Sequence, residues 1–68
     1  MSVAKTIEIS AESPQSFEDA VHKGIEAAGQ SVRNMQEVWV KEQKVVIEND
    51  KPSAYRVHLA VTFVLDKK

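Results

Sequence analysis

Cysteine is absent from the chain, which excludes a disulfide staple and any thiolate metal site. Glycine occurs only twice, as Gly24 and Gly29, too few and too far apart for a loop that cradles phosphate. No apolar run approaches the ~20 residues of a membrane-spanning helix. The opening "MSVAKTIEIS" lacks the apolar segment of a secretory signal. Neither sign of charge prevails: nine basic and ten acidic residues leave a net charge of -1. A basic face for nucleic acid or an anionic membrane is therefore not expected. With no leader and no cysteine, the cytoplasm is the expected location.

What is present is a chain of 68 residues, 28% charged and 43% hydrophobic, the composition of one globular domain over residues 1–68. A domain below about 70–80 residues rarely builds a core worth more than ~3–5 kcal/mol. With no disulfide and no evident metal staple, association with copies of itself is the remaining route to stability.

Four elements are legible. Residues 2–10 alternate, with Val3, Ile7 and Ile9 on one side, as in a half-buried strand. Ser13 suits a helix N-cap and Pro14 a first helical position. Phe17, Ala20, Val21, Gly24, Ile25, Ala28 and Val32 then share one helical face, and Arg33 and Asn34 suit the C-terminus. "EVWVKEQKVVIE", residues 37–48, reads as a second strand, with Glu37, Trp39, Lys41, Gln43, Val45 and Ile47 on one face if no bulge intervenes. "NDKPS" is a turn. "AYRVHLAVTFVLD" is the clearest strand, with Tyr55, Val57, Leu59, Val61, Phe63 and Leu65 on one apolar face. The order predicts an α+β fold, β-α-β-β, whose three-stranded antiparallel sheet packs on one helix. The sheet's other face then carries Trp39, Val45, Ile47, Ala60 and Val64. Such a cluster marks an interface more often than a solvated surface, so the chain reads as an obligate homo-oligomer.

Little of this carries catalytic chemistry. His22 falls among charges on the helix and reads as solvated. His58 falls on the outer sheet face and reads as an interface residue. No HExxH or GxSxG spacing occurs, so an enzyme is not expected. Glu42, Glu48, Asp50 and Asp66 would hold a hard cation only if oligomer symmetry gathered them. Trp39 has two readings: packing against a neighbouring copy, or a platform on which a flat ligand stacks.

"SFEDAV" after the Ser13 helix start, "SVRNM" leading into "VKEQ", and "YRVHLAVTFVLD" stand in register across nearly the whole chain. Together they resemble the dodecins. The resemblance implies a small, non-enzymatic protein that assembles into a hollow homo-dodecamer and stores or buffers riboflavin or flavin mononucleotide (FMN). It implies flavin rings stacked on a Trp near the start of the second strand and bonded by a Gln after the Tyr of the last. Some members bind coenzyme A, and one branch is associated with calcium. Carried onto this chain, the stacking position is Glu37 and the bonding position is Arg56. The usual Gly-Thr-Ser before the helix reads Ala11, Glu12, Ser13. A carboxylate cannot stack a flavin, and burying one unpaired beside an apolar ring costs free energy. The expectation is a dodecin-like small-ligand binding or storage protein with its flavin site weakened or lost and no tightly bound cofactor. An intersubunit Glu37–Arg56 ion pair would fill the pocket. The alternatives are a flavin store using Trp39 as a displaced platform, and an ion-holding shell of the calcium type.

Overall fold

The computed structural model describes residues 3–65. The element order is β1 (Val3–Ser13), α1 (Phe17–Gly29), β2 (Met35–Glu48) and β3 (Lys51–Leu65). The strands form one antiparallel sheet in the order β1-β3-β2. The strand with the unbroken apolar face is therefore central. Ser2 and Asp66, both placed by sequence in or at strands, lie outside the described residues.

The inner face follows the period of the sequence. Val57, Leu59 and Val61 are buried, and Ala20 of α1 seats against Val57 and Leu59 with Ile9, Ala11, Phe17, Val21 and Val38 around them. Phe17 closes one end of this core by meeting the Tyr55 ring edge-on, with centroids 5.2 Å apart. Gly24 is the point of closest approach. A Cβ built there would stand 2.7 Å from Leu59 Cδ1 and 3.2 Å from Ala11 Cβ.

The helix starts three residues later than the sequence suggested. Ser16, extended at φ -169°, is the N-cap and accepts the Asp19 N–H at 2.9 Å. Ser13 instead ends β1, since a residue before proline is pushed out of the helical region. Its buried hydroxyl accepts the Gln15 N–H at 2.9 Å and donates to Asp19 Oδ2 at 2.5 Å. Ser16 and Asp19 have the spacing of a capping box, the signal that outweighs Ser13–Pro14. The helix also ends earlier, at Gly29, and Asn34 takes a left-handed φ of 62° on entry to β2.

The β2–β3 turn is tighter than expected. Asn49 and Asp50, with φ of 54° and 61°, form a two-residue connection whose backbone matches the strand twist. Lys51, Pro52 and Ser53 belong to β3 rather than to the turn. Proline is tolerated there because β1 stops at the Ser13–Tyr55 pair. Beyond it β3 has one neighbour, and one edge needs no donor. The hairpin thus continues past the core as an arm, and the molecule measures 53 × 19 × 13 Å. Its accessible surface is 5118 Å². A folded monomer of its 7.6 kDa would expose about 4300 Å² by the usual mass scaling.

Candidate functional site

The outer face of the sheet gathers the polar side chains that sequence singled out. Its rows follow from the register. Thr6, Thr62 and Glu37 form one; Glu8, Ala60 and Trp39 the next; then Ser10, His58 and Glu42; then Glu12, Arg56 and Lys44. The register is irregular between Val40 and Glu42, so Lys41 is a bulge residue. An extra residue reverses the alternation beyond it. Val45 therefore stands opposite Tyr55, on the helix side, and not beside Trp39 as even alternation predicted. Ile47, past another irregularity, is at the end of the arm. Arg56 faces Lys44 rather than Val45.

Across these rows runs a chain of contacts. Ser10 Oγ is 3.2 Å from His58 Nδ1, and His58 Nε2 is 2.7 Å from Glu8 Oε1. Lys41 Nζ donates to Glu8 Oε2 at 3.0 Å and lies 5.3 Å from the centre of the Trp39 ring. Ala60, small and buried between Glu8 and Trp39, lets the lysine pass over β3. Hydrogen bonds from His58 and then from Lys41, with the lysine's charge, hold the Glu8 carboxyl below its ordinary range. In the next row Arg56 Nε donates to Glu12 Oε1 at 2.9 Å.

Ser10, His58 and Glu8 repeat the pairing of a hydrolytic triad. The bonds are those expected of direct and diagonal neighbours on adjacent strands, and Glu8 divides itself between His58 and Lys41. The hollow beside them, lined by Ser10, Glu42, Lys44, Arg56, Val57 and His58, measures about 80 Å³. That space admits a small polar group rather than an acyl substrate.

Trp39 is 63% exposed, its flat ring open on the outer face of the sheet. Glu37 shares its face and stands opposite Thr62, about six positions and roughly 20 Å along β3 from Arg56. Within one protomer these two charges do not meet. His22 lies on the helix among Glu18, Asp19, Lys23 and Glu26, away from the sheet's outer face. Glu42 stands in the Ser10–His58 row while Glu48 and Asp50 lie at the tip of the arm, and among the described residues no three potential ligands form a metal-binding group. Sequence reasoning missed Glu8, Ser10 and Glu12, the β1 partners of His58 and Arg56. The strict alternation of residues 6–12 already placed them on one face.

The Dodecin family model matches residues 3–66. The chain belongs to the dodecin family. A dodecin of Thermus thermophilus, crystallised as a point mutant, superposes with a TM-score of 0.93 at 26% identity over 100% of both chains. Calcium dodecin of Mycobacterium tuberculosis, described as a calcium-chelating antigen with a novel calcium-binding site, gives 0.83 at 30% identity, covering 97% of this chain and 94% of its own. A dodecin of Streptomyces davaonensis shares the fold, with a TM-score of 0.92 at 24% identity over 97% of each chain. No curated protein matches the sequence. Among the described residues no helix is long and apolar enough to cross a membrane.

Proposed function

We propose that this dodecin is a non-enzymatic, homo-oligomeric shell, a dodecamer, that holds a small ligand, with flavin binding weakened or lost. The observation that carries the reading is the outer sheet face. It retains a family member's architecture but presents Glu37 and Arg56 at the two positions through which the family resemblance implies flavin contact. Arg56 is already engaged by Glu12 at 2.9 Å. A ring-edge carbonyl would have to compete with that carboxylate, and so would Glu37 of a neighbouring copy. The mixed charges of the face, Glu8, Glu12, Glu37 and Glu42 beside Lys41, Lys44 and Arg56, suit ion pairing between copies better than they suit an isoalloxazine ring. An ion such as calcium is the alternative occupant, and its carboxylates would come from more than one protomer.

The test is direct. The purified oligomer is expected to be colourless and to leave riboflavin and FMN fluorescence unquenched at micromolar concentration. A yellow protein, or one that quenches flavin stoichiometrically, overturns the loss of the flavin site. A second reading rests on the exposure of Trp39, which shares the outer face and stands roughly 7 Å along β2 from position 37. Flavin bound by the native protein and released by Trp39→Ala would establish Trp39 as a displaced platform.

A further inference from the structure

The charges of the outer face pair off and leave one over. Lys41 Nζ meets Glu8 at 3.0 Å, Arg56 Nε meets Glu12 at 2.9 Å, and Lys44 Nζ meets Glu42 at 3.7 Å. His58 also turns to Glu8. Every fixed cation in these rows is therefore taken. The carboxylate with no ion pair among the described residues is Glu37. It is exposed. In its own row the Thr6 and Thr62 hydroxyls bond each other at 3.1 Å.

Beside this free charge stands the open ring. Trp39 is two residues further along β2, on the same face and roughly 7 Å away. Opposite it β3 places Ala60, whose methyl covers little of an indole. A cation already rests near the ring, since Lys41 Nζ is 5.3 Å from its centre. That is within the ~6 Å over which the negative face of an aromatic ring attracts positive charge. Glu8 cancels the lysine's charge at 3.0 Å, so little net field is left to repel a second cation.

An indole face takes a flat ring by stacking, and a free carboxylate takes a positive charge. A neutral heterocycle would use only the ring. A phosphorylated one would be turned away by Glu37. A bare metal ion would use only the carboxylate, and a hard cation asks for several oxygen ligands. We propose that Glu37 and Trp39 form a site for a flat aromatic cation, a heterocycle with a permanent positive charge on a ring nitrogen. The ring lies on the Trp39 indole and the charge faces the Glu37 carboxylate. The inference rests on the small-ligand reading of this face and names the class of ligand it selects.

Two dyes test it. 10-Methylacridinium and acridine share one ring system, and in mildly alkaline buffer only the first is charged. Binding to the purified protein is measured by titration calorimetry. The cation is expected to bind about tenfold more tightly than acridine, through its attraction to the ring and to Glu37. The gap should narrow in high salt, which screens exposed charges. Glu37→Gln keeps the size and removes the charge. It should weaken the cation at least about threefold and leave acridine unchanged. Trp39→Ala should abolish binding of both dyes. If that variant loses the native far-UV circular dichroism spectrum, Trp39→Leu replaces it.

Equal affinity for the two dyes overturns the proposal. So does a preference for the cation that Glu37→Gln leaves intact, and so does a cation that fails to bind at millimolar concentration. Riboflavin, titrated alongside, tests the reading beneath it separately. Tight riboflavin binding with the Glu37-dependent preference intact overturns the loss of the flavin site and still supports a charge-selected one.

Discussion

Ser13 shows how one buried hydroxyl can hold two elements together. It is fully buried at the end of β1 and joins that strand to α1 through Asp19. Ser13→Ala should cost about 1–2 kcal/mol in urea or guanidinium unfolding, the usual loss for a buried hydrogen-bonded hydroxyl. The substitution should also alter acid stability. The Ser13 hydrogen bond is the largest influence holding the Asp19 carboxyl below its ordinary value, with help from Lys23. A carboxyl depressed on folding stabilises the fold fully above its unfolded pKa, and that contribution is lost as pH falls through the folded value. Stability of the native chain should therefore decline below about pH 4, the ordinary range of an Asp carboxyl. In Ser13→Ala that decline should be shallower. At this scale the sequence was half legible. Glu37, Trp39, His58 and Arg56 stood on the expected face, because alternation needs only a count of two. Their partners were not legible, since who meets whom depends on the register between strands distant in sequence. A single bulge at Lys41, which no residue type announces, decided that Val45 leaves the face and Glu42 joins it.

At the scale of elements the apolar period settled most of the fold. The helix, the three strands and the placing of β3 against α1 all followed from which residues repeat at 2.0 or 3.6. The ends did not follow, because Ser13–Pro14 and Ser16–Asp19 compete as helix starts; the Ser16 cap wins, and Ser13 turns its hydroxyl to the Asp19 carboxylate instead. Gly24 belongs to this scale too. In an isolated helix Gly→Ala gains about 1 kcal/mol. Here the new methyl would press on Leu59 and Ala11, both packed in the interior, and overpacking costs about 1–3 kcal/mol. Gly24→Ala should therefore lower the unfolding midpoint despite its better propensity. A rise would mean that α1 slides freely over the sheet.

For the whole molecule, the small core and the surplus surface should, on the oligomeric reading proposed above, make stability depend on concentration. Folding linked to assembly gains by mass action. The thermal midpoint should rise by several degrees across a hundredfold increase in protein concentration. A midpoint independent of concentration down to the nanomolar range would show that the protomer stands by its own core. The expectation of oligomerisation came from the short chain and from the apolar cluster placed on the outer face, from which the bulge at Lys41 removes Val45. The arm was not legible, because it exists only once the turn is known to be two residues long and β1 is known to stop at Ser13.

Trp39 is the chain's only tryptophan, and it stands open on the sheet. Its light therefore carries no background from the core. The molecule has an optical probe of its own fixed to the outer face of the sheet, where the proposed function puts a ligand or a neighbour. Protomers dissociated by dilution should emit as a water-bathed indole. The assembled protein should emit further to the blue, and the size of that shift would report, without any label, how dry the face around Glu37, Lys41 and His58 becomes when the copies come together.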